Sequence, residues 1–195
     1  MEQSEKVGKN TGSPRKHKRG SGRERVLDAY ASILRQEGES AATLDEVALR
    51  AEISKGGLLH HFGSKDALLG GLLERLTLEN QGDIDRTMAS DDDPVEAYLT
   101  SCMRADDSYS ETYLAVMKLA GSSDGRVDQT LAEVLQSWQD ALTGRMDDPV
   151  MARLIQLLGD GLYSQALMKI EPTEIDQAVL KLAQAIVAEG QRLRG

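Results

Sequence analysis

The sequence predicts an all-α protein of about nine helices, with a three-helix N-terminal unit containing a helix-turn-helix and a larger helical body behind it. Three features lead there. From Ser21 onward apolar residues return every three or four positions, the period of a helix with one buried face. Ser, Thr or Asp stands just before most of these runs, where its side chain can accept from an unpaired N–H of the first turn. No stretch alternates with period two and β-branched clusters are missing, so strands have no signal. The 195 residues divide into a basic arm over 1–20, the helix-turn-helix unit over 21–67 and the helical body over 68–195.

Residues 1–20 hold Gly8, Gly12, Gly20, a Pro14-Arg15-Lys16-His17-Lys18-Arg19 cluster and almost no apolar side chains. Such a segment buries too little surface to offset its ordering entropy, so it is expected to be disordered. Ser21 and Glu24 have capping-box spacing and open a first helix, whose stripe of Val26, Leu27, Tyr30, Ala31 and Leu34 stops at Gly38. Thr43 and Glu46 make a second box, opening a short helix through about Ala51. Ser54 starts another that ends near Gly63, and Ser64 caps a longer one bearing Leu68, Leu69, Leu72, Leu73 and Leu76.

After the acidic loop Asp91-Asp92-Asp93, Asp93-Pro94 places a carboxylate at the N-cap and a proline at the first helical position, where its missing N–H costs nothing. Asp148-Pro149 repeats the device. Helices are expected at roughly 94–106, 109–120 and 126–145, with the Ser122-Ser123-Asp124-Gly125 loop before the third. In 150–168 apolar residues occupy nearly every side, which predicts a helix buried all round. The last helix, opened by Pro172-Thr173, carries one stripe of Ile175, Val179, Leu182, Ile186 and Leu193, and a second of Leu180, Ala183 and Val187 about 110° away. One stripe can face the protomer core, while the other needs a second surface. That predicts a two-fold dimer through Leu154, Leu158, Leu162, Val179, Leu182 and Ile186. The alternative is a monomer whose core surrounds the penultimate helix.

The net charge of −9 is unevenly held. Residues 1–22 carry six basic and two acidic side chains, residues 23–70 six and eight, and residues 71–195 eleven and twenty-two. A basic end on an acidic body suggests an anion-binding end attached to a body that repels nucleic acid. Basic arms can follow a DNA backbone or enter a minor groove, and a solubilising tail is the plainer reading. The single cysteine, Cys102, excludes an intramolecular disulfide and any multi-cysteine metal site. No apolar run approaches the roughly 18 residues of a membrane span, and the polar N-terminus lacks a secretory apolar region. A cytoplasmic protein with no membrane partner is expected.

Residues 43–62 read as two short helices meeting at a tight turn, with Leu44, Val47, Ala48, Ile53, Leu58 and Phe62 inside. A DNA-reading helix-turn-helix needs a short second helix that is firmly backed and free on its outer face. Here that face presents Lys55, Gly56, Gly57, Leu59, His60 and His61. Each glycine weakens the helix by about 1 kcal/mol relative to alanine, a cost that close approach of backbone to a phosphate or base edge would justify.

Residues 23–76 resemble the DNA-binding domain of the tetracycline-repressor (TetR) family of bacterial transcriptional regulators. The resemblance is carried by the helix-turn-helix and by Ile53-Ser54-Lys55-Gly56-Gly57-Leu58-Leu59-His60-His61-Phe62-Gly63-Ser64-Lys65-Asp66-Ala67-Leu68-Leu69. It implies an N-terminal reader, a divergent helical ligand-binding domain and a homodimer built on the last two helices. It also implies DNA contacts at Thr43, Ser54, Lys55, Gly57, Leu59, His60, His61 and Lys65. Thr43 and Lys65, at helix starts, suit phosphate oxygens. Lys55 and His60 suit base edges in a major groove, and Leu59 a thymine methyl. Two residues depart from the family pattern. Glu52 replaces the turn glycine, so it must either accept a left-handed backbone, at about 1–2 kcal/mol, or relax the turn. Leu59 replaces the usual tyrosine, which removes a phosphate hydrogen bond.

In the body, Tyr98, Cys102, Tyr113, Met117, Trp138 and Tyr163, together with Met103, have the chemistry of an apolar pocket with polar tips, although such residues at helical spacing equally build a core. One Phe and seven Met suggest an adaptable interior rather than a rigid aromatic cage. With no cation cluster in this part, the expected effector is a small hydrophobic or amphipathic molecule, neutral or cationic rather than highly anionic. Asp160, inside the nearly all-apolar helix, is the polar residue whose burial would decide between pairing across a dimer, reaching a ligand and capping a helix.

Catalysis has little support. His60 and His61 point about 100° apart, so they cannot share a metal. Cys102 has no histidine nearby in sequence, and no glycine-rich phosphate loop follows a strand. No catalytic residue, metal or cofactor is expected. The expectation is a sequence-specific DNA-binding regulator, a ligand-relieved repressor acting as a homodimer on a near-palindromic operator. Its rival is a helical ligand-binding or protein-interaction module that has lost DNA function.

Overall fold

The computed structural model describes residues 21–90, 93–105, 107–122 and 124–192. The basic arm over 1–20, Asp91 and Asp92 of the acidic loop, Ser123 and Leu193 lie outside the described residues. Within them are nine helices and no strand: α1 (Gly22–Glu37), α2 (Leu44–Arg50), α3 (Lys55–His61), α4 (Lys65–Met88), α5 (Pro94–Cys102), α6 (Ser108–Met117), α7 (Gly125–Met146), α8 (Pro149–Leu167) and α9 (Glu174–Arg192).

The caps explain where the helices begin. Ser21, Thr43, Ser54 and Ser64 each accept, through the side-chain oxygen, from the N–H three residues on, at 3.0–3.3 Å. Asp93 and Asp148 each accept from two first-turn N–H groups of the proline-led helices α5 and α8. The ends differ more from expectation. α5 stops at Cys102 rather than about 106, and α6 at Met117 rather than about 120. Both tails tighten into three-residue turns: Arg104 donates to the Ser101 carbonyl, and Ala120 to that of Met117. Gly121, at φ +73°, completes the exit from α6.

Two apolar clusters form the core. The first joins α1–α4 to Tyr109, Ala115 and Val116 of α6 and to Val127 and Val134 of α7. The second joins Ile84 at the far end of α4 to α5, the rest of α7, α8 and α9. α4 is one uninterrupted helix across 67/68, so no linker separates the reading unit from the body.

α8 is not buried all round. Ala152, Ile155, Gln156, Gly159 and Leu162 face the protomer core, while Val150, Leu154 and Leu157 are exposed. Its neighbours α5 and α7 cover one side only. On α9 the two stripes separate as their angular offset requires: Leu180, Ala183 and Val187 are buried, while Ile175, Leu182 and Ile186 are exposed.

Candidate functional site

The helix-turn-helix is built around Leu58 and Phe62, which anchor α3 in the core together with Val47 and Ala48 of α2. The turn closes as a Schellman motif: Ile53 donates to the Ala48 carbonyl and Glu52 to that of Leu49, both at 3.1 Å. Glu52 sits at φ +55°. The turn has therefore not relaxed; the glutamate occupies the left-handed conformation that glycine adopts without cost. Gly71 lets Phe62 seat, since a Cβ there would lie 2.5 Å from the ring.

None of the sequence-predicted contact residues on this unit is buried. Ser54, Lys55, Leu59, His60, His61, Thr43 and Lys65 are exposed and Gly57 is half-buried. Thr43 and Ser54 already use their side-chain oxygens as caps, so their further contribution is limited to remaining lone pairs and the hydroxyl hydrogen. Lys55 reaches Asp45 at 2.8 Å, and Lys65 lies 3.8 Å from Glu39 and donates to its carbonyl. His61 packs over Gly22 at the start of α1, with Nε2 only 2.5 Å from where a Cβ would stand. Gly56 is different: among the described residues nothing lies nearer than 4.0 Å to its Cβ position, so none of them requires a glycine there.

The second site is a cavity of about 270 Å³ between α4, α5, α6, α7 and α8. Of the residues predicted for an effector pocket, Tyr98, Cys102, Tyr113, Trp138 and Tyr163 line it. Met117 does not; it is 43% exposed in the last turn of α6, one turn beyond Tyr113 and past the end of the cavity lining. Met103 lines two neighbouring hollows instead. Tyr109 was missed, although its position one helical turn before Tyr113 was a usable signal.

Four of the chain's five tyrosines and its only tryptophan meet at this cavity. The adaptable interior expected from the methionine content is thus replaced by an aromatic wall. Tyr98 and Trp138 have ring centroids 5.0 Å apart, Tyr109 and Tyr163 6.2 Å, and Tyr113 and Tyr163 5.8 Å. Gly159 admits Tyr98 against the α8 backbone, where a Cβ would come within 2.5 Å of the ring. Tyr163 donates to Ser110 and Tyr109 to Asn80. Burial raises the phenols of Tyr98, Tyr109 and Tyr163, and pushes the Cys102 thiol up to about 12. All of these groups are neutral at pH 7.

The charged residues at the cavity are Asp83, Asp107 and Asp160 against Arg86 and Arg104. The two arginines, absent from the expectation, lie at the exposed rim. Asp83 pairs with Arg86 at 2.9 Å, and Asp107 caps α6 by accepting from Ser110. Burial raises the carboxyls of Asp83 and Asp160 above the usual range, against the opposing pull of Arg86 and Arg153 respectively.

Polar side chains tie helices that line the cavity to the reading unit. Ser108, in the first turn of α6, donates to Glu79 and accepts from Arg75, which also holds Asp28 of α1 at 2.5 Å. Arg126, at the start of α7, pairs with Asp66 in the first turn of α4.

Of the proposed dimer residues, Leu154, Leu182 and Ile186 are exposed, and Leu158 and Val179 half-buried. Leu162 is 8% exposed and belongs to the protomer core; it faces the α5 side of α8 and has no surface to offer a partner. Among the described residues no group of His, Cys, Asp and Glu is placed to hold a metal ion, and no helix is long and apolar enough to cross a membrane.

Residues 26–72 match the family model described as bacterial regulatory proteins, tetR family, and residues 92–186 match the tetracyclin repressor-like C-terminal domain. The chain is 27% identical over 177 residues to the HTH-type transcriptional regulator BetI of Burkholderia thailandensis, covering 89% of this chain and 80% of that one. It is 29% identical over 129 residues to the HTH-type transcriptional repressor Rv3405c of Mycobacterium tuberculosis, covering 66% of this chain and 63% of that one. A solved SmeT–triclosan complex shares the fold with a TM-score of 0.66 at 20% identity, covering 86% of this chain and 91% of that one.

Proposed function

The chain belongs to the TetR family of bacterial regulatory proteins and is a DNA-binding transcriptional regulator. From that premise we propose that it acts as a homodimeric repressor, released from a near-palindromic operator when a small hydrophobic or amphipathic molecule enters the aromatic cavity. The observation that carries the reading is α3: its inner side is fixed by Leu58 and Phe62, and Lys55, Gly56, Leu59, His60 and His61 are exposed.

In this reading α3 enters a major groove, with Lys55, His60 and Leu59 toward base edges and Gly57 allowing close backbone approach. Thr43, Ser54, His61 and Lys65 face the phosphates. The ion pairs of Lys55 with Asp45 and Lys65 with Glu39 are exposed. Such pairs are worth about 0–1 kcal/mol, so exchanging a carboxylate for a phosphate costs little. Dimerisation through Leu154, Leu158, Val179, Leu182 and Ile186 is supported by the apolar faces that α8 and α9 leave uncovered. Two protomers would then present their α3 helices to successive half-sites, about one helical turn or a small multiple apart.

Effector control is supported by the sharing of α6 between cavity and reading unit. A ligand that favours one seating of α6 over another changes DNA affinity by that difference and no more. The SmeT complex with triclosan is a neighbour of this fold with an organic molecule bound.

Fluorescence anisotropy on the DNA flanking the protein's own gene, against a scrambled duplex at two salt concentrations, tests the operator. Lys65→Ala should weaken both duplexes alike and flatten the salt dependence by about two units of log–log slope, one for each protomer, whereas His60→Ala should change base preference. If neither substitution alters binding, the docking of α3 is wrong.

A further inference from the structure

Asp160 sits in α8 between Gly159, against which Tyr98 packs, and Gly161. Each other carboxylate at the cavity has an occupation: Asp83 is held by Arg86, and Asp107 caps α6. Asp160 makes no hydrogen bond or ion pair with the described residues. The one cation that acts on it, Arg153, lies two helical turns back and donates to Gln156 at 2.8 Å. The cavity thus combines one carboxylate without a hydrogen bond or ion pair among the described residues with the faces of Tyr98, Tyr109, Tyr113, Tyr163 and Trp138. Aromatic faces carry negative potential and attract a cation stripped of water.

We propose that this cavity binds an organic monocation with a flat apolar body, a quaternary or protonated aromatic amine, whose charge is countered by Asp160 and whose rings lie against the tyrosine–tryptophan wall. This rests on the reading of the cavity as the effector site and names the chemistry of its ligand. A second positive charge would meet no second carboxylate inside, since Asp83 is paired with Arg86 and Asp107 is exposed to water while it caps α6. An anion would meet Asp160 inside, because Arg86 and Arg104 stand only at the rim. The size fits too: about 270 Å³ is near the lower end of small-molecule cavities, at about 300 Å³, and suits roughly two fused rings with a cationic head. Partial burial already disfavours the ionised Asp160, and a bound cation would relieve that cost.

Calorimetry on the full chain decides it with three probes of one shape: naphthylmethyl-trimethylammonium, its uncharged neopentyl isostere and naphthalenesulfonate. The cation is expected to bind at least about tenfold more tightly than the neutral isostere, with the sulfonate weakest and Trp138 emission changing on binding. In Asp160→Asn the cation should lose most of its advantage, keeping only what the aromatic faces supply, while the isostere's own affinity stays the same and so reports an intact cavity. Equal affinities in the wild type, tightest binding of the sulfonate, a charge preference undiminished in Asp160→Asn, or no binding at all would each overturn the proposal. The same probes added to the protein–DNA complex separate it from the effector reading. A cation that binds through Asp160 without loosening DNA leaves the ligand class standing and removes the effector role. Release by the neutral isostere alone does the reverse.

Discussion

Replacing Glu52 by glycine should stabilise the protein, and the size of the effect follows from the turn. Glu52 is exposed and held at φ +55° between two backbone hydrogen bonds that close the end of α2. A left-handed residue with a side chain costs about 1–2 kcal/mol. Glycine removes that cost but frees the unfolded chain, returning about 0.5–1 kcal/mol. The net gain is about 0.5–1 kcal/mol, and at this chain length each kcal/mol moves the melting midpoint by about 2–4 °C. Thermal and urea denaturation of Glu52→Gly, followed by helical circular dichroism at fixed protein concentration, measures it. Glu52→Ala is the control, since it removes the same charge but keeps the strained backbone, and should melt close to the wild type. Both variants delete one negative charge from the reading face, so a rise in DNA affinity common to the two is electrostatic. If Glu52→Gly is no more stable than Glu52→Ala, the turn stores no strain and the reasoning fails.

Gly56→Ala should also stabilise, by about 1 kcal/mol of helix propensity into open space, yet lower operator affinity; stabilisation with unchanged affinity would mean that DNA does not approach this part of α3. Ile186→Glu, at a position 41% exposed in the protomer, should give a folded monomer in sedimentation, whereas Leu180→Glu on the buried stripe should unfold it. Asp160 carries a carboxyl raised by burial, so the folded state holds its proton more tightly than the unfolded one, and stability is lost as pH rises through the folded value. Asp160→Asn should therefore melt higher than the wild type at neutral pH, with the difference shrinking below the ordinary carboxylate range. A difference that grows on acidification would contradict that sign.

What can be read from the chain without its fold is what neighbours in sequence decide among themselves. Ser21, Thr43, Ser54, Ser64, Asp93 and Asp148 fix helix starts through hydrogen bonds that reach three residues at most, and the spacing of apolar residues fixes which face each helix offers. The helix-turn-helix was legible for that reason, being a local device of twenty residues whose inner and outer sides are set by period. The ends of α5 and α6 were less legible, because tight turns there compete with the last helical hydrogen bonds and no single residue forbids either.

The cavity depends on residues from five helices, from Asp83 to Tyr163, and no local rule brings Tyr98 to Trp138 or Tyr109 to Tyr163. Composition even pointed the other way, since aromatics are few in the chain as a whole and only packing concentrates them. The same holds for α8: its apolar girth looked like full burial until α5 and α7 were seen to cover one side, leaving Leu154 outside and Leu162 within. Asp160 joins the two levels. An acid within an apolar helix was visible in sequence, but its lack of a partner depends on where Arg86, Arg104 and Arg153 come to rest. Sequence by itself determined the helices, their starts and the reading face, because those follow from short-range hydrogen bonding and periodicity. Only tertiary structure decided the cavity, its aromatic wall and the carboxylate left there without a partner among the described residues, because those are set by which distant faces exclude water together.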